Sequence, residues 1–118
     1  MANKRKLGFQ KEQLAIEYLN SQGVTILEKN FYFRGGEIDL IGVDREYLCF
    51  IEVKYRTSNQ YGLPEDAITL EKQKKMILGA KKYLYQQKRF FNTPCRFDIV
   101  SIYNENITWI LNAFELWF

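Results

Sequence analysis

The pattern of hydrophobic and polar positions along the chain predicts two helices and five strands. Apolar residues recur at helical spacing over residues 6–21 and 69–88, and Gly23 supplies a stop signal after the first of these segments. The residues at 64–66, a proline followed by two acids, are typical of a helix start. Runs rich in β-branched and aromatic residues predict strands at 24–33, 37–43, 47–55, 96–103 and 107–111.

This order of elements, helix, three strands, helix, two strands, predicts one α/β domain over residues 1–118. We expect a central mixed five-stranded sheet flanked by helices. A chain of 118 residues is long enough to build a hydrophobic core without disulfides or structural metals. The last segment, 112–118, is rich in aromatic residues, so it either packs on the core or joins a partner chain, and a homodimer through this tail is one prediction.

The hairpin formed by the second and third predicted strands contains the candidate chemistry. A tip of two residues (45–46) or of four (44–47) places Asp39 directly opposite Glu52, whereas a tip of three residues would shift the register by one. Directly opposed side chains share a face, with Cβ atoms about 4.5–5.5 Å apart. Lys54 lies two positions beyond Glu52 and therefore shares that face. The opposite face receives the apolar neighbours, namely Ile38, Leu40, Ile51 and Val53.

Two facing carboxylates repel each other unless a cation neutralises them or one of them is protonated. A bound Mg²⁺ or Mn²⁺ would remove this conflict, because both ions prefer oxygen ligands. A surface salt-bridge ladder, in which Lys54 pairs with Glu52 and Glu37, is the alternative explanation. Glu12 falls on the apolar stripe of the first helix, where either a salt bridge or a metal site would explain it.

Composition narrows the function classes further. The chain has no histidine, which excludes Ser-His-Asp and Cys-His mechanisms and histidine-containing metal sites. It has no apolar run of membrane-spanning length and no apolar stretch behind its N-terminal charges, so we expect a cytoplasmic protein without a membrane partner. The net charge of +3 is too mild to identify a nucleic-acid-binding protein. Lysines concentrate on the second helix, where they either bind phosphates or simply solvate an exposed face.

Several segments together resemble a known family. RGGEIDLI at 34–41 and FIEVKYR at 50–56 are similar to the YraN family of predicted endonucleases. That family is similar to archaeal Holliday junction resolvases and belongs to the PD-(D/E)XK nuclease superfamily. The resemblance extends through 8–19, where Glu12 stands in the family's N-terminal acidic position. It continues through PEDAI at 64–68, KQKK at 72–75, RFDIV at 96–100 and NAF at 112–114.

The resemblance implies a restriction-endonuclease-like fold and a role for each site residue. Asp39 and Glu52 would be metal ligands, Glu12 would complete the metal shell, and Lys54 would be the lysine of the Glu-x-Lys pair. Ile38 replaces the superfamily's proline, which leaves the metal site intact. The implied function is a Mg²⁺- or Mn²⁺-dependent endonuclease acting on nucleic acid, above all DNA and including branched or junction DNA.

Basic residues near the site are expected to hold the flanking phosphates, namely Arg34, Arg56, Lys72, Lys74 and Lys75. Two other function classes stay open at this point. One is a nucleic-acid-binding protein that keeps the nuclease fold but does not cut. The other is an interaction protein whose hydrophobic tail, 114–118, is its working surface.

Overall fold

The computed structural model describes residues 3–56 and 68–117. The first three strands follow the first helix directly: α1 is Asn3–Ser21, β1 is Thr25–Phe33, β2 is Gly36–Asp44 and β3 is Tyr47–Arg56. After the gap come α2 (Leu70–Gln86), a short 3₁₀ helix (Lys88–Phe90), β4 (Cys95–Tyr103) and β5 (Asn106–Phe114). The predicted helix start at 64–66 lies outside the described residues.

The five strands form one mixed sheet in the order β1-β2-β3-β4-β5. The neighbours β1–β2, β2–β3 and β4–β5 pair antiparallel, whereas β3 and β4 pair parallel. A parallel pair needs a crossover connection, which α2 provides between β3 and β4. The predicted class, an α/β fold with helices flanking a mixed five-stranded sheet, is therefore confirmed.

The two helices contribute to separate hydrophobic clusters. α1 contributes Ala15, Ile16 and Leu19 to one cluster, and α2 contributes Met76, Ile77, Ala80 and Tyr83 to the other. β3 alternates between them, because Leu48 and Phe50 pack with α2 whereas Cys49 and Ile51 pack with α1. Even-numbered positions of β3 thus point towards α2, which determines the direction of Glu52 and Lys54.

A close approach fixes α2 on the sheet. A Cβ atom added at Gly79 would lie 2.5 Å from the Phe33 ring and 2.7 Å from Cδ1 of Ile38, so only glycine permits this contact. The helix begins after Thr69, whose hydroxyl accepts a hydrogen bond of 3.0 Å from the backbone N–H of Lys72. The contact at Gly79 places the middle of α2 against β1 and β2, and the Thr69 cap defines where the first turn begins.

The end of the chain differs from the sequence-based expectation. The strand predicted at 107–111 extends to Phe114, because Asn112 adopts a left-handed φ of 53° that accommodates a register shift against β4. Phe114 stacks on Phe97 with ring centroids 4.7 Å apart, and the Trp117 indole N–H donates to Oε1 of Gln73 at 3.0 Å. Part of the predicted tail therefore packs on its own chain. No helix in the described ranges has the length and hydrophobicity needed to cross a membrane.

A buried ionic network supports this register shift. Asp98 is fully buried and accepts hydrogen bonds from Nε and Nη2 of Arg96, from the Trp109 indole at 3.0 Å and from the backbone N–H of Asn112 at 2.9 Å. Arg96 also donates to Oδ2 of Asp44 at 2.9 Å. The network joins β4 to the end of β2 and to β5, and its carboxylate has a full set of partners.

We predict that Asp98→Asn lowers the free energy of unfolding by about 3–5 kcal/mol, because it leaves a buried guanidinium with one ionic partner fewer. Urea denaturation would measure the difference. Asp44→Asn is the matched control and should cost less, since Arg96 then retains its contacts with Asp98. Equal losses in the two variants would show that Asp98 is not the centre of the network.

Candidate active site

A tight turn sets the register of the β2–β3 hairpin. The strands end at Asp44 and Tyr47, and Arg45 in the turn has a left-handed φ of 57°. The pairs run from Asp44↔Tyr47 to Leu40↔Ile51, where the regular pairing ends, and Asp39 and Glu52 are the next residues on the two strands. The register predicted from a two-residue tip is confirmed.

Asp39 lies where β2 bends away from regular pairing. The backbone N–H of Val53 donates to Oδ2 of Asp39 at 2.9 Å, so this side chain, rather than the backbone, bonds β3 at this point. Ile38 packs with α2 and Leu40 with α1, although residues two apart on a regular strand share a face. The expectation that Ile38 shares a face with Leu40, Ile51 and Val53 was therefore wrong. The bend brings the Asp39 carboxylate to the β3 edge.

Glu52 is a buried acid with cations on both of its oxygens. It is 5% exposed, with Lys72 Nζ 3.5 Å from Oε1 and Lys54 Nζ 3.8 Å from Oε2. The pKa of Glu52 is raised to about 8, first by burial and then by the charge of Asp39 and a side-chain hydrogen bond with Asp39, whereas Lys72 and Lys54 lower it. The two carboxyl groups are therefore close enough to compete for one proton, as the opposed register implies.

Glu12 approaches this pair from α1. It is half-buried, and burial followed by the charge of Asp39 raises its pKa. With its amide nitrogen turned towards the acids, Asn30 donates to Glu12 at 3.2 Å and to Glu37 at 3.0 Å. Sequence reasoning missed Asn30. The only available signal was its residue type, because asparagine tolerates a left-handed backbone such as its φ of 53° within β1.

The structure contains only part of the predicted surface salt-bridge ladder. Lys54 does pair with Glu52, but Glu37 faces Asn30, so the proposed ladder does not extend along the hairpin as expected. An exposed ladder would also leave Glu52 in water, whereas Glu52 is nearly fully buried. The buried, like-charged arrangement is unusual for a purely structural acid.

Two of the five predicted phosphate-binding residues line a cavity beside Glu52, and the other three lie outside it. Lys72 and Lys75 line a cavity of about 330 Å³, together with Lys54, Thr69 and Glu71. Lys74 is exposed and does not line this cavity. Arg34 is exposed in the β1–β2 turn, where its carbonyl accepts from Lys82 at 3.0 Å, and Arg56 ends β3, half-buried. Because β2 and β3 are antiparallel, both arginines lie at the same end of the sheet as Asp39 and Lys54.

The donor set suits a hard cation that keeps part of its own shell. Within residues 3–56 and 68–117, no three acidic, cysteine or histidine side chains are grouped so that they could hold a metal alone. Glu12 is thus near Asp39 but does not complete a three-residue ligand set. Mg²⁺ is commonly held by one or two carboxylates, with water and substrate phosphate completing six positions. Asp39 and Glu52 fit that mode of binding.

Comparisons with known proteins agree along nearly the whole chain. Residues 11–102 match the model of "Uncharacterised protein family UPF0102". A UPF0102 protein from Lachnoclostridium phytofermentans is 46% identical over 96% of this chain and 96% of its own length. Another from Nitrosococcus oceani is 44% identical over 98% and 96%, and one from Saccharophagus degradans is 42% identical over 98% of both chains.

The raised pKa of Glu52 predicts that the metal-free protein loses stability as pH increases. Folding favours the protonated carboxyl, so this contribution is complete below the ordinary pKa of 4.5 and is lost as pH rises towards about 8. We expect the melting temperature in EDTA to fall by roughly 5–10 °C between pH 5 and pH 8. Glu52→Gln should flatten this dependence. A melting temperature of the parent that rises over the same range would contradict the assignment.

Proposed function

The chain belongs to the UPF0102 family, and we propose that it is a Mg²⁺- or Mn²⁺-dependent endonuclease that hydrolyses phosphodiester bonds in nucleic acid. The observation that supports this most strongly is Glu52. It is a buried acid that faces a second carboxylate, Asp39, and has Lys54 and Lys72 on its oxygens. Such an arrangement costs stability in the absence of a cation, and strongly perturbed groups of this kind concentrate at functional sites.

The side chains divide the work of phosphodiester hydrolysis between them. When bound, a divalent cation supplies Lewis-acid stabilisation of the phosphate and lowers the pKa of water. Asp39 and Glu52 would hold that cation, with Asp39 oriented by the Val53 N–H. Lys54 extends from the same strand as Glu52 and is 37% exposed, so its ammonium can reach a water or phosphate oxygen outside the carboxylate pair. There it would orient the attacking water or offset the negative charge that develops on the phosphorus oxygens.

Glu12 has a supporting role in this proposal. Its pKa is raised by burial and by the charge of Asp39, so a cation at Asp39 would also favour the charged form of Glu12. The hydrogen bond from Asn30 fixes its direction. Glu12 would then act through a water of the cation's shell, which agrees with the lack of a three-residue ligand group in the described part of the chain.

The proposed substrate is DNA, including branched or junction DNA, bound across the end of the sheet. Arg34, Arg56 and Lys75 lie around that end and would contact the flanking phosphates, while Lys74 would contact a more distant one. Symmetrical cutting of a branched substrate requires two active sites, which a homodimer supplies. Leu116 and Trp117 remain 62% and 48% exposed and would form its contact. We place this activity in the cytoplasm.

A nucleic-acid-binding protein that does not cut is the second candidate. One observation favours it: ammonium groups already contact both oxygens of Glu52, Lys72 at 3.5 Å and Lys54 at 3.8 Å. Both functions use the basic residues to bind nucleic acid. Only the nuclease also needs Asp39 and Lys54 for cleavage. Cleavage and binding must therefore be measured separately on the same variants.

Asp39→Asn should abolish metal-dependent cleavage, because it removes a cation ligand. At pH 8 or above, where Glu52 is charged, it should nevertheless keep or raise the melting temperature in EDTA, since one of two repelling carboxylates is gone and the amide oxygen can still accept from Val53. Lys54→Ala should keep Mn²⁺ binding and lose turnover by about 10²-fold or more. A screen of single-stranded, duplex, flap and four-way-junction DNA, with calorimetry for Mn²⁺, measures both. Cleavage by Asp39→Asn at the parental rate would refute the mechanism.

Nucleic-acid affinity should fall steeply with salt, because lysines that bind phosphates release condensed counterions. Replacing Lys74 and Lys75 together by alanine should weaken binding and reduce the slope of log affinity against log salt by about 1–2, without loss of Mn²⁺ binding. Fluorescence anisotropy with a labelled duplex gives both quantities. Lys81→Ala with Lys88→Ala is the charge-matched control, with one lysine in the second half of α2 and the other in the 3₁₀ helix that follows it. An equal effect of the two pairs would indicate non-specific attraction.

A further inference from the structure

Glu52 is held by two lysines that differ in how they are attached. Lys54 belongs to the same strand, two residues further on, and its Nζ lies 3.8 Å from Oε2. Lys72 comes from α2 and its Nζ lies 3.5 Å from Oε1, so it closes the gap between the helix and β3. Both oxygens of the acid are thus already in contact with positive charge. A divalent cation that binds Glu52 has to displace one ammonium or share an oxygen with it.

Lys72 is the ammonium that can move. Its backbone N–H is fixed by the Thr69 hydroxyl at 3.0 Å, whereas its side chain is 32% exposed and carries a compact charge on a flexible four-carbon chain. A change of rotamers moves the charge by several ångströms without moving the helix. No backbone rearrangement is needed for Lys72 to leave Glu52.

A cavity beside Glu52 offers the Lys72 ammonium an alternative position. Lys72 lines the cavity of about 330 Å³, together with Lys54 and Lys75. Lys75 pairs with the exposed acid Glu71 at 3.7 Å, and exposed pairs of this kind contribute little. Three ammonium groups around one open cavity favour an anion, and a phosphate group satisfies several of them at once.

We propose that Lys72 couples cation binding to phosphate binding: it occupies Glu52 until a divalent cation displaces it, and it then holds a substrate phosphate in the cavity with Lys75. This inference rests on the proposed nuclease function and adds a positioning residue to it. Lys72 opposes binding of the cation alone and favours binding of the phosphate once the cation is present. By linkage, phosphate binding strengthens cation binding to the same degree.

The coupling has a sign that a structural lysine would not produce. Loss of a purely structural ion pair would weaken the site and lower Mn²⁺ affinity. Loss of a competing ammonium raises Mn²⁺ affinity in the absence of nucleic acid. The same loss removes the gain in nucleic-acid affinity that the cation otherwise gives.

The test compares Lys72→Met with Lys75→Met, which removes a charge from the same cavity without touching Glu52. Calorimetric titration with Mn²⁺ alone should show roughly fivefold or greater tightening in Lys72→Met and no tightening in Lys75→Met. Anisotropy of a labelled DNA duplex, with and without Ca²⁺, should show that Ca²⁺ raises the affinity of the parent severalfold and that Lys72→Met loses this gain. Thermal melts confirm that the full-length variants are folded.

The outcomes separate this inference from the function on which it rests. If the parent binds Mn²⁺ and Lys72→Met binds it equally or more weakly, the coupling is wrong and the nuclease proposal stands. If only Lys72→Met binds Mn²⁺ alone, Lys72 does occupy the cation's place, and by the same linkage the parent should bind Mn²⁺ once DNA is present; a parent that binds none in either condition overturns the nuclease proposal. If neither binds Mn²⁺, both the coupling and the nuclease proposal are overturned.

Discussion

Repulsion between the carboxyl groups of Asp39 and Glu52 is the interaction around which this part of the molecule is organised. A two-residue turn sets the register that brings the two acids to neighbouring positions, and the burial of Glu52 removes water that would otherwise screen its charge. The surrounding contacts respond to that repulsion. A backbone N–H is directed at Asp39, and ammonium groups from two elements are directed at Glu52.

The same sheet contains a second buried acid, Asp98, whose carboxylate is fully hydrogen-bonded, unlike that of Glu52. Asp98 receives a guanidinium, an indole N–H and a backbone N–H at bonding distance, and Arg96 also binds its acidic neighbour Asp44. Glu52 receives two longer ion pairs, at 3.5 and 3.8 Å, and faces a like charge. A satisfied carboxylate stabilises a fold, whereas an incompletely satisfied one retains free energy that a ligand can use. This contrast is why we assign structure to one acid and function to the other.

Sequence reasoning reached the parts of this site that local rules determine. The period-2 pattern and a short polar tip were sufficient to predict the register from Asp44↔Tyr47 to Leu40↔Ile51, which brings Asp39 next to Glu52, because hairpin register follows from turn length. The bend at Asp39 was beyond those rules, so Ile38 was assigned to the wrong face. It depends on tertiary contacts that the alternation of residues does not record.

Longer-range contacts were equally hidden. The pairing of Arg96 with Asp44 joins residues 52 positions apart, and no spacing rule connects them. The end of β5 was missed for a related reason, since Asn112 looks like a turn residue until Asp98 is seen to bond its backbone N–H. The lysines on α2 could be counted in the sequence. To tell which of them face the acids, one must know how the helix is rotated about its axis and where it contacts the sheet.

Gly79 links the packing of the fold to the tolerance of the site to mutation. Its Cα allows α2 to lie directly on Phe33 and Ile38, two turns along the helix from Lys72. Any larger residue there would have to push the helix outward, and Lys72 and Lys75 would move away from β3 with it. A substitution at this buried glycine would thus have the same effect as a substitution of the lysines. The protein would fold, but its basic groups would no longer reach the acids. Position 79 therefore determines how far Lys72 and Lys75 lie from the acids on β2 and β3.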